Sequence, residues 1–339
     1  MIQLNVKLPD SYVKNYSSVF SEVKKIDLET RSDCLIGEIR SLSIVDNEIF
    51  IIQQVSSYSS LLRFNGDGKY LNEIGTYGKG PGEIMNPRSF IIDNGLIEVW
   101  SRLNISRFTR DGQFVEKVFN AFYPGVGFYK KSGYYFLFHS ASPPAMLAQY
   151  RSTGEKIAEY LPYHFINAES GNDKVLLLDD KITLFSSVCD TIYQIIDEGI
   201  TSEGYFNFIG FESPVIALKK YDNILDFVRN LKNYCVITNY LENSDFILFE
   251  YSYNRKVYYS IYNKIKKTQV YFNDQIIDDL GNSVFSSPLF LTSDNYLIIP
   301  QYSEKIRDKS SNNETESDPT AGIINNPVLI FCKLKADWK

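Results

Sequence analysis

RFNGDGKYLNEIG, at Arg63–Gly75, returns along the chain as RFTRDGQFVEKVF, at Arg107–Phe119. A third copy of the pattern is QYRSTGEKIAEYL, at Gln149–Leu161, and a weaker fourth is YQIIDEGITSEGYF, at Tyr193–Phe206. The glycines that align in these copies are separated by 44, 42 and 45 residues, and they are Gly68, Gly112, Gly154 and Gly199. A period of this length is that of one four-stranded blade of a β-propeller.

Each repeat predicts four short strands joined by turns. In the second repeat the strands are SFIIDNG, LIEVWSR, ISRFTR and QFVEKVF, and Gly112 stands where the last hairpin turn needs a positive φ. The sequence therefore predicts an all-β fold, a six-bladed β-propeller with four-stranded antiparallel blades, in a single domain over residues 1–339. The predicted blades cover residues 37–75, 84–119, 125–162, 173–208, 234–273 and 283–335.

Two further segments complete this architecture. The last predicted blade has only three strands, whereas SEVKKIDLE, at Ser21–Glu29, is a strand without a blade. We expect residues 21–29 to close the ring as the outer strand of blade six, because closure removes open sheet edges. One short inserted helix is predicted within YDNILDFVRNLKNY, before blade five. Its N-cap would be Asp222, and its apolar face would consist of Ile224, Phe227, Val228 and Leu231.

The stretch GKGPGE, at Gly78–Glu83, falls between the first two predicted blades. Its glycines permit a tight change of direction, and we expect Glu83 to accept hydrogen bonds from nearby backbone N–H groups. A phosphate-binding loop is the alternative, but such a loop normally leads into a helix N-terminus, and a strand, PRSFIID, follows here. The turn is therefore the favoured interpretation.

Composition excludes several classes of function. The net charge of −6 and the absence of an apolar run of 18 residues argue against a nucleic-acid partner and a transmembrane segment. The start of the chain, MIQLNVKLPD, does not resemble a signal peptide. Two histidines cannot build a three-histidine metal site, and the four cysteines, which form no CxxC pair, are expected to be small apolar residues in or near strands. They are Cys34, Cys189, Cys235 and Cys332.

The stretch from YLNEIGTYGKGPGE to FVEKV resembles the NHL-type six-bladed propeller repeat, and more closely the six-bladed propeller family of Bacteroidetes-type cell-envelope lipoproteins. Matching pieces elsewhere are VKKIDLET, SVCDTIYQI, GYFNFIGFESP and NPVLIFCKLK, so the resemblance covers roughly residues 20–336. It implies an exported protein of the periplasm or outer-membrane surface, tethered by an N-terminal lipid in the full-length precursor. Fold resemblance alone does not supply a ligand or a reaction.

Two long insertions, residues 208–233 and 302–327, belong to the face that carries the connections between fourth and first strands and between second and third strands. Two long insertions on one face suggest that this face binds a partner. The alternative is that the two surface loops have lengthened by neutral variation, without a function. Near this face we expect the ligand-binding residues. They are Arg40, Lys79, Arg88, Trp100, Arg102 and His139.

Each of these residues has an ordinary structural alternative. Arg40 and Arg88 open inner strands, where a guanidinium would clamp a carboxylate or sugar hydroxyls, or would instead pair with Glu38 or Glu83. Trp100 would stack on a sugar ring or pack between blades. His139 would contact a ligand or be a hydrogen-bonded strand histidine.

Catalytic signals are scarce. No GxSxG motif occurs, and adjacent carboxylates such as Asp179–Asp180 and Asp278–Asp279 point to opposite faces of a strand, so they are interpreted as turn residues. Oxygen ligands for calcium exist at Glu38, Asp46 and Asn86, but their spacing does not indicate a site, and no cofactor is predicted.

The favoured hypothesis is a non-enzymatic module that recognises a glycan, peptide or protein partner on the elaborated face. The alternative is a metal-dependent propeller hydrolase, lactonase or lyase that acts in the central channel.

Overall fold

The computed structural model of the chain describes residues 1–56, 58–80, 82–101, 104–120, 125–139, 145–162, 174–178, 181–186, 189–196, 199–221, 226, 229–230, 233–281, 283–302 and 325–338. Nearly all regular structure in this part of the chain is β-strand. In chain order the strands are β1 (Ile2–Val6), β2 (Phe20–Asp27), β3 (Glu38–Val45), β4 (Glu48–Val55), β5 (Tyr58–Asn65), β6 (Tyr70–Glu73), β7 (Thr76–Tyr77), β8 (Glu83–Ile84), β9 (Pro87–Asp93), β10 (Leu96–Ser101), β11 (Asn104–Phe108), β12 (Phe114–Asn120), β13 (Gly125–Lys131), β14 (Tyr134–His139), β15 (Ala145–Arg151), β16 (Lys156–Pro162), β17 (Lys174–Leu178), β18 (Lys181–Phe185), β19 (Thr191–Ile196), β20 (Gly199–Phe208), β21 (Val236–Glu242), β22 (Phe246–Tyr253), β23 (Lys256–Asn263), β24 (Thr268–Asn273), β25 (Phe290–Leu291), β26 (Tyr296–Gln301) and β27 (Val328–Leu334).

Within the described residues, most of these strands form six blades, each with four antiparallel strands. Blades one to five are β3–β6, β9–β12, β13–β16, β17–β20 and β21–β24, and blade six is β25–β27 with β2. The fold class is therefore the predicted six-bladed β-propeller. By compactness the chain divides into two units: the first holds blades three to five, and the second holds blades one, two and six.

The closing strand lies where the sequence predicts it. β2 pairs antiparallel with β27, with Val23 opposite Cys332 and Lys25 opposite Ile330. The order of this sheet is β2-β27-β26-β25, so the N-terminal strand is the outer strand of blade six. The ladder supplies partners for backbone groups that would otherwise form an exposed edge.

The strand β1 was not predicted from the sequence. β1 pairs in parallel with β20 and makes blade four five-stranded. Its side chains Leu4 and Val6 are fully buried. On its other side, the amide group of Gln269 accepts from the Asn5 N–H at 3.1 Å and donates to the Asn5 carbonyl at 2.7 Å. This amide replaces a strand neighbour, and β1 is thereby held between blades four and five.

The repeated glycines build one turn three times. Gly68, Gly112 and Gly154 have φ of 81°, 81° and 84°, and each donates its N–H to the carbonyl three residues earlier at 2.9–3.0 Å. This is the hairpin in which a type I turn ends on a left-handed residue and a bulge. Gly199, the weak fourth match, differs, because its φ is 141° and it begins β20.

Two of these turns also join neighbouring blades of the second unit. A Cβ atom at Gly112 would lie 2.4 Å from the carbonyl oxygen of Glu73, at the end of β6. A Cβ atom at Gly68 would lie 2.3 Å from the carbonyl oxygen of Asp27, at the end of β2. The missing side chain therefore lets each turn rest directly on the outer strand of the preceding blade.

Apolar and aromatic side chains fill the spaces between blades. One cluster joins blades one and two through Phe50, Leu61 and Phe108, and another joins blades three and four through Phe136 and Leu184. Full burial of each such side chain contributes about 1.5–3 kcal/mol. Three of the four cysteines are buried in the same way and all four are free thiols, as expected of small apolar residues.

α1 (Pro214–Leu218) is a short helix that was not predicted from the sequence. Ser213 precedes it in an extended conformation, and Pro214 occupies its first turn, which suits a residue without an N–H group. Within the predicted helix Asp226, Arg229 and Asn230 are described and are helical, whereas Asp222, Ile224, Phe227, Val228 and Leu231 lie outside the described residues. Among the residues that are described, no helix is long and apolar enough to cross a membrane.

Candidate functional site

The GKGPGE loop is closed by its own carboxylate. β7 and β8 pair in parallel across its base, and Glu83 Oε2 accepts from the Gly80 N–H at 2.7 Å, as predicted. A Cβ atom at Gly78 would lie only 1.9 Å from Glu83 Oε2, which explains why a glycine stands there. Because Glu83 already takes the Gly80 N–H group, and because β9 follows instead of a helix, this loop is a structural turn. Pro81 lies outside the described residues.

Both predicted arginines sit at irregularities of a first strand. Arg40 lies between Ile39 and Ser41, which pair with consecutive residues of β4. Arg88 has the same place in β9, between residues that pair with Trp100 and Ser101. Such bulges re-aim a side chain, and both arginines are exposed. Arg40 forms the ion pair that was its structural alternative, 2.9 Å from Glu38 Oε1.

The remaining predicted site residues do not share one environment. Trp100 has no exposed surface, so its ring offers no open face to a ligand and its role is packing. His139 is 2% exposed at the end of β14. Lys79 is exposed in the GKGPGE loop, and Arg102 lies outside the described residues, as does most of residues 302–327.

Two of the three residues named as possible oxygen ligands for calcium are engaged in ion pairs. Asp46 pairs with Arg110, and Glu38 pairs with Arg40. In the ranges that the structure describes, no three His, Cys, Asp or Glu side chains are grouped closely enough to hold a metal ion. Asp279 accepts hydrogen bonds from the backbone and side chain of Ser17, while Asp179 and Asp180 lie outside the described residues.

A cleft of about 570 Å³ in the first unit is the strongest candidate site; we call it the β20 cleft. One wall is the end of β20, with Tyr205, Asn207 and Phe208. The other wall is the start of the long insertion, with Phe211 and Ser213, and α1, with Ile216. The lining is completed by Asp190, just before β19, by Thr191, the first residue of β19, by Met1, and by Ser202, Phe206 and Glu212.

Two hydrogen bonds hold the walls of the β20 cleft together. The Ser213 hydroxyl donates to Asp190 Oδ2, which links the insertion to the connection between the second and third strands of blade four. The Phe206 N–H donates to the Asp190 carbonyl at 2.8 Å. The connection between β18 and β19 and the insertion after β20 lie at the same end of the blade, because successive strands are antiparallel. The cleft forms where these two segments meet.

Apolar contacts fix the insertion in place. Ala217 of α1 is fully buried, whereas Ile209 and Ile216 remain 47% and 53% exposed. The Phe211 ring packs against the Tyr253 ring of blade five, with 4.7 Å between the ring centroids. One side of the insertion is therefore anchored, and apolar side chains on the other are left open beside the cleft.

The ionisable side chains that line the β20 cleft are two carboxyl groups, Asp190 and Glu212, and one of them is paired with a lysine. Burial raises the pKa of the Asp190 carboxyl above its usual value, and the hydrogen bond from Ser213 offsets only part of this shift. Glu212 Oε2 lies 2.7 Å from Lys220 Nζ, which balances its charge. Among the described lining residues, no lysine or arginine faces the ligand space.

A second cleft of about 610 Å³ lies along β1, between Gln3 and the blade five residues Tyr262, Lys264 and Gln269. Lys264 is already engaged, since its Nζ pairs with Glu242 and donates to the Asn243 carbonyl at 2.6 Å. Gln269 is engaged with Asn5 of β1. Because both of these polar side chains already have partners, the β20 cleft is the better candidate.

The β20 cleft was not predicted from the sequence, although the stretch that forms one of its walls was noted for its family resemblance. The stretch GYFNFIGFESP, which carries part of the family resemblance, contains Tyr205, Phe208, Phe211 and Ser213. A run of aromatic residues that continues past the end of a strand, with Ser-Pro after it, was the available signal. The partner residue Asp190 is separated in sequence and carries no motif.

Comparison with solved structures supports the architecture. A Bacteroides fragilis NCTC 9343 protein, inferred to be exported, is similar over 98% of this chain and 99% of its own, at 18% identity and a TM-score of 0.74. At this identity the likeness shows the fold alone.

Two further similarities are more distant. The extracellular domain of an inferred one-component system of B. thetaiotaomicron matches 91% of this chain and 36% of its own, at 12% identity and a TM-score of 0.47. A Bacteroides caccae protein of unknown function matches 70% of this chain and 82% of its own, at 10% identity and a TM-score of 0.45. Neither adds to the argument.

No curated protein matches the chain. The NHL-type repeat and the lipid anchor remain predictions. A family model matches residues 2–333, which include strands of all six blades and every lining residue of the β20 cleft except Met1. The chain belongs to the family described as "Domain of unknown function (DUF4934)".

Proposed function

We propose that this protein is a non-enzymatic binding module of the cell envelope, which holds a glycan, peptide or protein partner in the β20 cleft. The observation that carries the proposal is the cleft itself, built by the first long insertion against β20. Its volume falls within the range of about 300–1,000 Å³ that is common for ligand sites. The B. fragilis protein of similar fold, which is inferred to be exported, supports the envelope location.

The arrangement suits recognition by a rigid frame. The ladders of blade four and the anchored residues Ala217 and Phe211 hold the walls, so little ordering is needed when a ligand binds. Exposed Ile209 and Ile216 beside the opening add apolar surface for a partner. Binding energy would come from this surface and from the aromatic rings within the cleft.

The test compares two matched variants on glycan and peptide arrays. Ile216→Asp places a charge at the cleft, whereas Ile265→Asp makes the same change at an isoleucine that is 73% exposed in blade five, outside the cleft. We expect the unchanged protein and Ile265→Asp to bind the same array members, and Ile216→Asp to lose them. Equal binding by both variants, or no binding by the unchanged protein, would contradict the proposal.

A further inference from the structure

The two edges of β1 have different partners. Ile209 donates its N–H to the Val6 carbonyl at 2.9 Å, in line with the parallel ladder between β1 and β20. Successive residues of a strand direct their N–H and C=O groups to opposite edges, so the even-numbered residues of β1 face β20. The backbone groups of the odd-numbered residues, Gln3, Asn5 and Lys7, therefore face blade five.

Side chains of blade five cover this outer edge at two of its three positions. The Gln269 amide bonds both backbone groups of Asn5. The Tyr251 hydroxyl donates to the Lys7 carbonyl at 2.7 Å. At Gln3, by contrast, no group of the described residues bonds the N–H or the carbonyl on this edge. An uncovered backbone donor and acceptor is a place where a further strand can pair.

The Gln3 side chain does not close this position. Its Nε2 donates to Asn5 Oδ1 at 3.0 Å, and its Oε1 accepts from the Tyr205 hydroxyl at 2.6 Å. Tyr205 is the residue opposite Gln3 in the ladder with β20, so these contacts hold the side chain on a face of the sheet and away from its edge. Gln3 is exposed, which lets a ligand approach that edge.

The cleft of about 610 Å³ along β1, which we call the β1 cleft, lies on the same side of the strand. Gln3 lies on one wall, and the other wall is formed by Tyr262, Lys264 and Gln269. The open backbone groups therefore face a space of the size of a ligand site. Apart from Met1, the β1 cleft shares no lining residue with the β20 cleft.

Gln269 shows which chemical group fits this edge. Its amide oxygen accepts from the Asn5 N–H while its amide nitrogen donates to the Asn5 carbonyl, which is the pair of bonds that a neighbouring strand makes. Gln3 lies two residues earlier, about 6.7 Å along β1. A peptide that continues the line begun by Gln269 would offer its own N–H and C=O groups to Gln3. An extended peptide is thus the ligand class that matches the edge.

The unpaired charge in the β1 cleft is positive. Lys267 lines the cleft, is exposed and has no ion pair with a described residue. Lys264, in contrast, is balanced by Glu242. A carboxylate on the bound peptide would find its counter-ion in Lys267, and an exposed pair of this kind strengthens binding about two- to fivefold. An acidic peptide is therefore favoured over a basic one.

We propose that the β1 cleft binds an extended acidic peptide, which pairs with the Gln3 backbone as an added strand and places a carboxylate beside Lys267. This inference goes beyond the proposed function, because it concerns a different cleft and does not depend on the ligand of the β20 cleft.

Gln3→Pro and Gln3→Ala are a matched pair that tests the backbone contact. Both remove the Gln3 side chain, but only proline removes the N–H group, which takes no part in the ladder with β20. Heptapeptides are selected from a random phage-displayed library on the full chain, synthesised with blocked termini and a fluorescent label, and titrated by fluorescence polarisation. We expect acidic peptides whose binding weakens about fivefold or more in Gln3→Pro and changes less than about twofold in Gln3→Ala.

Two further comparisons do not depend on how well Gln3→Pro folds. N-methylation of the peptide, one amide at a time, removes a donor from the ligand, so at one position at least it should weaken binding to the unchanged protein about fivefold or more. Lys267→Gln should weaken binding about two- to fivefold, whereas Lys14→Gln, at an exposed lysine outside both clefts, should not.

The outcomes separate this inference from the proposed function. Acidic peptides that respond in the expected way, and that still bind Ile216→Asp, support the inference. Failure to select any peptide overturns it, and so does selection of basic peptides only. Binding that is insensitive both to Gln3→Pro and to N-methylation also overturns it. If every selected peptide is lost on Ile216→Asp and kept on Gln3→Pro, the peptides lie in the β20 cleft, which supports the proposed function and overturns the inference.

Discussion

Replacement of Gly112 by alanine tests how the blades of the second unit are joined. Gly112 has a φ of 81°, and an alanine there costs about 1–2 kcal/mol because left-handed backbone crowds its Cβ atom. The new Cβ atom would also lie 2.4 Å from the Glu73 carbonyl oxygen, where ordinary contact begins at 3.4 Å. The turn and β6 must therefore move apart, which costs about 1–3 kcal/mol as in other overpacked sites.

The hydrogen bond across this contact adds to the loss. Gly75 donates its N–H to the Gly112 carbonyl at 3.3 Å, and separation of the blades would remove about 1 kcal/mol with it. We therefore expect Gly112→Ala to lower the free energy of unfolding by about 3–6 kcal/mol in total. Urea denaturation followed by tryptophan fluorescence is a suitable assay, because Trp100 is buried in the same blade.

Gly95→Ala is the matched control. Gly95 has a φ of 78° in the turn between β9 and β10, and a Cβ atom there would meet nothing within 4 Å. It carries the backbone cost without the contact, so we expect a loss of only about 1–2 kcal/mol. If the two variants differ by less than about 0.5 kcal/mol, the usual error of such comparisons, then the close approach of blades is not what selects glycine at the repeat position.

Three further predictions concern single side chains. Leu4→Ala should lower the free energy of unfolding by about 2–5 kcal/mol, because Leu4 is fully buried between blades four and five. Urea denaturation measures this loss, and an effect below about 1 kcal/mol would mean that β1 is not part of the stable fold. Glu83→Ala should speed hydrogen exchange of the Gly80 amide several-fold, while unchanged exchange would show that the carboxylate does not close the loop. The Glu73 carboxyl accepts a hydrogen bond from the Tyr58 hydroxyl, and burial raises its pKa. Between the ordinary pKa and the raised one, the native state therefore binds more protons than the unfolded state. Because of this difference, the free energy of unfolding falls as pH rises through that window. Glu73→Gln should remove this fall, so that the variant gains stability relative to the unchanged protein above that window; a constant difference from about pH 4 to about pH 8 in urea midpoints would refute it.

Much of the fold could be predicted because its signals are local. The turn at Gly68 is encoded within five residues, and the same hydrogen bonds recur at Gly112 and Gly154. The pairing of β2 with β27 was predictable for a different reason, since a blade without its fourth strand and a strand without a blade require each other.

For the predicted site residues, burial and side-chain direction could not be predicted from the sequence. Trp100 and His139 were selected by residue type, but burial depends on what packs above them, which a single strand does not reveal. Arg40 and Arg88 were placed correctly on first strands, yet the bulges that turn them outward arise from the pairing with the second strands.

By itself, the sequence determined the repeat, the number of blades, the turns at the glycines and the strand that completes blade six, because each of these depends on residue spacing or on backbone conformation within a few residues. Only the tertiary structure decided that β1 lies between β20 and Gln269, and that Asp190 meets Ser213 beside a row of aromatic rings. Those contacts join segments far apart along the chain, and their free energy exists only once the blades have packed and removed the intervening water.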